Sequence, residues 1–441
     1  MPLAAASQGL EPPGAAMKLT SYWLDTSNPF AGGAEGPVEG TCDVAVIGGG
    51  LTGSSAALAL AKKGARVVLL EAGTIGNAAS GRNGGMCNNG FAQDYGTLSG
   101  KLGREVADRL YRAFDAGVDT VERLVREEGI DCSFARVGKI KLAAKPEHVD
   151  KLARSQALLA ATVDPETEMV SRADLPAEIG SGRYYGGLIY RKSAALHVGR
   201  FVRGLAEAAA RRGVAVHEHT PMTTLKAVPG GGHLVGTPRG TVRARQVLLA
   251  SGTSQAGPLG WVRRRIVPVG AFLIATEPLP VEMLDRLTPR RRNAVDTKNL
   301  VNYFRTTPDN RLLFGGRARF AVSNPASDEK SGAILRAALH DVFPELRDVR
   351  IDYCWGGMVD MTRDRLPRAG ERDGLYYAMG YSGHGTQMAT LMGTLMAEVM
   401  DGRTELNPWG AFAWPAIPGH FGPPWFLPLV GAYYRLKDRF Q

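Results

Sequence analysis

At 441 residues the chain exceeds one ordinary core and is expected to divide into two or three domains. Its 44% apolar and 22% charged residues read as globular, and 55 glycines point to many tight turns or close backbone approaches to a ligand. The net charge of +10 raises nucleic acid as a partner, but the densest basic runs, Arg263-Arg264-Arg265 and Arg290-Arg291-Arg292, lack the interleaved aromatics of a single-strand platform. A basic surface attracting anionic substrates is the plainer reading, and no nucleic-acid partner is expected.

Residues 1–16 have neither a basic nor an apolar signal region, so they read as a disordered extension, with Met17 an alternative start. Residues 17–40 form a lead-in. The run Asp43-Val44-Ala45-Val46-Ile47 reads as a buried parallel strand ending in Gly48-Gly49-Gly50. Ser54 to Lys63 reads as a helix stopped by Gly64, and Arg66 to Glu71 as a second strand, completing a βαβ unit. A Gly/Asn/Ser-rich loop spans Ala72 to Gly90, and 101–128 has helical spacing. Residues 129–195 mix short elements. Val198 to Arg212 is a second Ala-rich helix, Val214 to Val216 a strand, and Gly230-Gly231-Gly232 a hairpin turn. Val242 to Ala250 is an apolar strand running into Ser251-Gly252. Residues 259–350 look like a separate unit with a helix around 328–343. Leu375 to Gly380 is a final strand, followed by Tyr381-Ser382-Gly383-His384-Gly385 and a helix to about 401.

Four cysteines, Cys42, Cys87, Cys132 and Cys354, form no C-x-x-C pair, so no metal site is expected and a reducing, cytoplasmic setting fits. No run of about 18 apolar residues suggests a membrane span.

Gly48-x-Gly50-x-x-Gly53 between a strand and a helix, with Glu71 closing the next strand, is a dinucleotide fingerprint in its required context. Gly48 permits the turn, Gly50 lets backbone approach a pyrophosphate, and Gly53 lets helix and strand pack closely. Leu51 and Thr52 open the helix whose unpaired N–H groups face the phosphates, and Glu71 can accept from ribose hydroxyls. The fingerprint alone does not choose between NAD and FAD. The loop Ser80-Gly81-Arg82-Asn83-Gly84 has small residues suited to a flat ring, and the helix after Gly383-His384-Gly385-Thr386 can face the ring end that gains negative charge on reduction. Both favour FAD; the bland alternatives are a surface loop and an ordinary capped turn. Gly252 completes the candidate cofactor set. The second turn is no nucleophile elbow, because His384 stands where that motif needs glycine.

Together, Val46 to Gly53, Ser80 to Gly85 and Gly380 to Gly385 resemble the D-amino acid oxidase superfamily, and within it the gamma-glutamylputrescine oxidoreductases. The resemblance extends through Asn310 to Gly316, Ile351 to Gly357 and Ala432 to Arg439. It implies an α/β fold of the GR2 flavoprotein type: a discontinuous Rossmann-like FAD-binding domain (41–100, 190–258 and 351–405) with an inserted mixed or antiparallel-sheet substrate domain (101–189 and 259–350). A lead-in at 1–40 and a C-terminal segment at 406–441 flank them.

The same likeness implies hydride transfer from a nitrogen-bearing carbon to flavin, with the imine hydrolysing afterwards. It puts Ser80, Arg82, Asn83 and Gly84 beside the ring, Gly383 to Gly385 at its pyrimidine end and Met222 near the adenine. Sarcosine oxidases of the superfamily carry an oxygen-activating Lys where Leu313 matches, and a carboxylate-binding Lys where Gln387 matches. An amine substrate is therefore favoured over a plain α-amino acid. Gly357 matches the position of a flavin-linking Cys, so non-covalent FAD is expected, although Cys354 is near.

His384 is the first candidate for tuning the flavin or the amine, with a structural histidine as the alternative. Trp355 and Tyr381 are candidates to wall the pocket, or core aromatics. Arg317 is a candidate anchor for a distant carboxylate, with a salt-bridged surface arginine as the alternative. The electron acceptor is expected to be oxygen or a quinone. A D-amino acid or N-methyl amino acid dehydrogenase, its basic stretch Tyr433 to Phe440 touching a membrane, is the second reading. A flavin-binding module without turnover is the third.

Overall fold

Apolar runs and the turns that bound them build two large sheets in the computed structural model, which describes residues 16–253, 257–317 and 321–440. The proposed N-terminal extension lies almost wholly outside the described residues. The first sheet runs Arg368–Arg372, Leu375–Met379, Gly240–Leu249, Thr41–Ile47, Val67–Leu70, Ala215–His217. Along this path all neighbours but the outer Arg368–Arg372 strand are parallel, and two further antiparallel strands, His233–Thr237 and Thr224–Ala227, branch from Gly240–Leu249. Val44 to Ile47 are all buried, as expected of a central parallel strand covered on both faces.

Helix Leu51–Lys62 leaves the first strand and packs between Val198–Ala210 and Gly385–Val399. The approach to the last is close: a Cβ on Gly393 would stand 2.3 Å from the Thr52 carbonyl oxygen, so only glycine fits. Because the strands are parallel, Ile47, Leu70 and Ala250 emerge at one sheet edge, where a doubly wound sheet presents its ligand crevice.

The second sheet runs Ile351–Met361, Val267–Thr276, Leu312–Gly316, Asn302–Thr306, Asn293–Asp296, Lys139–Leu142, Gly187–Tyr190, Glu168–Val170. Only the Asn293–Asp296 and Lys139–Leu142 pair is parallel, so the sheet is mixed, in keeping with the expected substrate domain. Helix Pro325–Val342 covers one face of it, over a core that includes Phe272, Phe304, Phe314 and Leu339.

Two expected boundaries move. Residues 351–361 pair along their length with Val267–Thr276 and so belong to the second sheet rather than the cofactor layer. Helix Arg104–Glu128 goes the other way. Leu110, Phe114, Val118 and Val121 form an apolar stripe at helical spacing, and it joins the core beneath Gly385–Val399. The C-terminal helix Leu427–Phe440 exposes Leu429, Tyr433 and Leu436 on its outer side, while Tyr434 reaches the central cavity. Among the described residues no helix is long and apolar enough to cross a membrane.

Candidate flavin and amine site

A cavity of about 970 Å³ runs from the edge of the first sheet to the face of the second. At its first-sheet end the glycine turn behaves as its spacing requires. Gly48 has φ +112°, and a Cβ there would stand 2.8 Å from the Ala250 carbonyl oxygen. A Cβ on Gly53 would stand 1.8 Å from the Gly48 carbonyl oxygen, so the helix can leave the strand this tightly only without a side chain. Gly50 sits at the N-cap and offers no capping side chain. The Leu51 N–H donates to Ser80 Oγ at 2.9 Å; no capping side chain serves Thr52 or Gly53, so their N–H groups and the helix dipole are left for an anion.

Glu71, the expected ribose acceptor, has a structural task in the fold. Its carboxylate accepts the Gly49 N–H at 2.6 Å and the Gly73 N–H at 2.7 Å, stapling two turns together while lining the cavity. Burial pushes its carboxyl upward, and these N–H groups pull it back. Met222 and Gly252 line the same end.

The small-residue loop closes over the next stretch. Ser80, Arg82, Asn83 and Gly84 line the cavity. Arg82 donates to the carbonyls of Asn77 at 2.8 Å and Gly356 at 3.2 Å, tying loop to substrate sheet. Asn83 shapes the loop: its Oδ1 accepts the Gly85 N–H at 2.8 Å, and its Nδ2 donates to Ala79 and Ser80 carbonyls. Gly81 and Trp355 stand behind this wall. A Cβ on Gly81 would meet the Gly76 carbonyl at 2.4 Å, and fully buried Trp355 donates Nε1–H to the Arg82 carbonyl at 3.1 Å. Trp355 therefore supports the loop from the core and does not wall the substrate pocket. Strand alternation turns Cys354 the opposite way, where its Sγ donates to the Asp328 carbonyl at 3.3 Å, while Gly357 faces Arg82 and the cavity.

Gly383, His384, Gly385 and Thr386 line the cavity at the start of helix Gly385–Val399. Asp360, absent from the sequence motifs, holds this turn by accepting the N–H groups of Gly380 at 2.6 Å and Tyr381 at 3.2 Å; burial raises its carboxyl to about 6. Tyr381 lines the cavity, but its hydroxyl is paired with Thr52 Oγ1 at 2.7 Å. Burial, reinforced by the Lys139 charge, drops His384 to about 3, so the imidazole is neutral, and its Nδ1 has no partner. One turn on, Gln387 donates Nε2–H to the Asn88 carbonyl and leaves Oε1 without a partner.

The far end is cationic. Lys139-Ile140-Lys141-Leu142 alternates: Ile140 and Leu142 enter the second core, while Lys139 and Lys141 line the cavity. Sequence reading missed both, although this alternation is a legible signal. Arg317 lines both this cavity and an adjoining one of about 670 Å³. The adjoining lining carries Lys145, Lys151, Arg183, Lys298 and Lys437 and no Asp or Glu. The plainer reading of Arg317 as a salt-bridged surface residue is not met. Among the described residues no carboxylate pairs with it, and burial with the Arg365 charge lowers its affinity for a proton.

Leu313, which the resemblance matches to the oxygen-activating lysine of sarcosine oxidases, is fully buried and absent from the cavity lining. No group of metal-ligating side chains occurs among the described residues.

A parallel sheet ending in a glycine cradle, continuous with a polar chamber on a second sheet, defines a dinucleotide-dependent redox protein whose substrate meets the cofactor between two domains. The family description "FAD dependent oxidoreductase" matches residues 43–399, and the chain belongs to that D-amino acid oxidase family, with FAD as its cofactor. It is 32% identical over 426 residues to gamma-glutamylputrescine oxidoreductase of Escherichia coli, covering 95% of this chain and 98% of that one. It is 29% identical over 372 residues to a glycine oxidase of Geobacillus kaustophilus, covering 81% of this chain and 93% of that one. The crystal structure of glycine oxidase from G. kaustophilus shares the fold with a TM-score of 0.67, at 23% identity over 86% of this chain and 98% of that one. L-proline dehydrogenase from P. horikoshii does so with a TM-score of 0.68, at 20% identity over 84% of this chain and 98% of that one.

Proposed function

We propose that the enzyme oxidises the amine of an elongated substrate that carries a carboxylate at its other end, of the gamma-glutamylputrescine kind. The observation that carries this reading is Arg317, an enclosed guanidinium without a carboxylate partner among the described residues, at the junction of the two cavities. A half-buried cation without a counter-charge favours an anion that arrives with the ligand. Lys151 and Lys298 line the same junction. Glycine and simple D-amino acids place carboxylate and amine one carbon apart, whereas an elongated substrate separates them along a cavity that both Arg317 and His384 line.

Bound FAD supplies a two-electron hydride acceptor. The chain's own residues hold and orient. The Gly48 to Gly53 turn and Glu71 fix the ADP half, the Ser80 to Gly84 loop and Asp360-braced turn bracket the ring, and Arg317 sets the reach of the substrate. Orientation of the reacting C–H bond is the largest contribution available to such a site. His384 and Gln387 line the chamber at the start of helix Gly385–Val399, each with a buried polar atom that lacks a partner. Oxygen or a quinone takes the electrons onward, and a cytoplasmic setting fits the four free buried cysteines.

The test is anaerobic flavin bleaching with gamma-glutamylputrescine, putrescine, sarcosine, glycine and D-alanine, followed by oxygen uptake with the best of them. The acylated amine is expected to bleach the flavin fastest. Equal or faster bleaching by glycine or D-alanine would replace this reading with an amino-acid oxidase.

A further inference from the structure

Lys139 is a lysine in an unusual place. It lies on the strand Lys139–Leu142, is 8% exposed, and lines the central cavity with His384 and Gln387. Its Nζ donates to the Asn89 carbonyl at 2.7 Å and sits 3.9 Å from the centre of the Tyr190 ring, which faces it across the strand pair. Gln387 donates to the neighbouring Asn88 carbonyl, so both side chains converge on one short piece of loop.

Among the described residues no carboxylate forms a salt bridge with Lys139. The two that act on it from nearby bond to other residues, Asp115 to Lys192 at 2.7 Å, Asp164 Oδ2 to Tyr111 at 2.8 Å, and both to Asn89, while Asp164 Oδ1 is buried without a hydrogen-bond partner. The other charged or titratable groups facing it are Lys141 on its own strand, Tyr190 on the next, and His384 at the helix start.

We propose that Lys139 is the base that takes the proton from the substrate ammonium before hydride transfer. This rests on the amine reading above. An ammonium has no lone pair and cannot release hydride from the adjacent carbon. One N–H bond of the ammonium breaks, its electron pair stays on the substrate nitrogen, and a new N–H bond forms on Lys139 Nζ. The amine is then neutral; the adjacent C–H bond gives its electron pair and hydrogen to the flavin, and the nitrogen lone pair closes a C=N bond. The product leaves as a protonated imine that water hydrolyses. Charge balances because the proton moves from one nitrogen to another inside the chamber.

Burial first, and Lys141 second, lower the Lys139 ammonium to about 7, so it is available as a free amine near neutrality. His384, at about 3, is too weak a base for that proton and suits accepting a hydrogen bond from the neutral amine instead.

The experiment uses the FAD-loaded enzyme and its Lys139→Met and Lys139→Arg variants, with flavin content measured first. An alkylamine of pKa about 10 is only about one part in a thousand neutral at pH 7. The transfer runs from a nitrogen near 10 to one near 7, so the second-order rate of anaerobic flavin reduction in the wild type should be flat in pH from about 7 to about 10. With the base removed, the rate should start within a few-fold of wild type at pH 7 and rise about tenfold per pH unit toward pH 10, where solution deprotonates the amine. Arginine keeps the charge but cannot lose a proton, so Lys139→Arg should behave like Lys139→Met.

A second readout needs no turnover. A tert-alkylamine without an α-hydrogen is titrated by its effect on the flavin spectrum. Its Kd should be flat from pH 7 to 9 in the wild type, because the proton merely changes nitrogen. In both variants it should weaken about tenfold for each unit the pH falls. Wild-type-like pH profiles in the variants, or a loss equal at every pH, would overturn the assignment. If no amine reduces the wild-type flavin, the substrate reading falls instead, and the Kd titration still judges Lys139.

Discussion

The sharpest test of the cofactor site is Gly50, because two physical reasons for a glycine compete there and can be separated. Its backbone is extended (φ −83°, ψ −170°), which alanine tolerates, so conformation is not the reason. A Cβ would stand 2.7 Å from Ser80 Oγ, whereas ordinary contact begins at 3.4 Å, so the hydroxyl would have to retreat by about 0.7 Å. That breaks the 2.9 Å bond from the Leu51 N–H, at a cost of about 1 kcal/mol to the fold. The second reason is ligand space: a methyl at the N-cap stands where the pyrophosphate meets the first-turn N–H groups. Losing one or two such charge-assisted bonds, each ~1.5–3 kcal/mol, weakens FAD at least ~10-fold and up to ~10,000-fold or more. Gly50→Ala, Ser80→Ala and the double variant are compared by urea unfolding of the apoprotein and by FAD titration through flavin fluorescence. Ser80→Ala should lose about 1 kcal/mol and keep most flavin affinity. The double variant should unfold like Ser80→Ala yet bind FAD at least tenfold more weakly. If it binds within threefold of Ser80→Ala, Gly50 serves only the serine and the phosphate argument is wrong.

Arg317→Met should raise KM for a carboxylate-bearing amine by ~10- to 100-fold with kcat within threefold, and should leave an amine without the carboxylate unaffected; equal losses for both would remove the anchor. Tyr381→Phe strips Thr52 Oγ1 of its partner at 2.7 Å and should cost ~1–2 kcal/mol in urea unfolding while flavin reduction stays within a few-fold. A hundredfold slower reduction at unchanged stability would instead make Tyr381 a participant in the chemistry. Asp360→Asn weakens the acceptor for the Gly380 and Tyr381 N–H groups, and FAD release measured by dilution should accelerate about tenfold. His197 accepts the Arg200 N–H at 3.2 Å and is held neutral by burial, at about 3. The unfolded chain therefore binds this proton first as pH falls below 6.5, and stability drains downward through that window at up to ~1.4 kcal/mol per unit. The difference between wild type and His197→Gln in urea midpoint should shrink correspondingly from pH 6.5 to 4; a constant difference would mean that His197 protonates freely in the fold.

What sequence conveys about this molecule follows from how local each constraint is. Gly48, Gly53 and Glu71 act within one strand–turn–helix unit, so their spacing carried the cradle, including the reason for Gly53. The Ser80 to Gly84 loop was legible as a whole but not residue by residue: Gly81 and Trp355 support it from behind, and nothing in their neighbours tells a wall from its buttress. The domain junctions failed for a related reason. Ile351–Met361 reads as an apolar strand in either sheet, and only its pairing with Val267–Thr276, about 80 positions away, decides. Helix Arg104–Glu128 shows its apolar stripe plainly, yet a stripe does not name the surface it covers.

The substrate end is harder still, because it is assembled from side chains that share no local motif: Lys139 on one strand, Arg317 after another, His384 and Gln387 at a helix start, Tyr434 near the terminus. Their common property is chemical. Each presents a cationic, neutral-acceptor or phenolic group to one enclosed space, and such groups are costly to bury without a partner. In Lys139-Ile140-Lys141-Leu142 that cost is visible even in one dimension: a strand that alternates lysine with aliphatics and buries both faces must face a ligand or a carboxylate on the lysine side. Asp164 and Asp94 act on these lysines without forming a salt bridge to them among the described residues, which leaves room for a ligand, and the two ends of the chamber ask for different parts of it. Arg317 asks for an anion, whereas Lys139 with His384 and Gln387 asks for a nitrogen that arrives protonated and reacts neutral. A substrate with one of these features but not the other would leave an unpaired cation or an unreactive ammonium in place, so selectivity should appear as a joint requirement: deleting the carboxylate and methylating the amine to a quaternary centre should each abolish efficient turnover, the first through KM and the second through the chemical step.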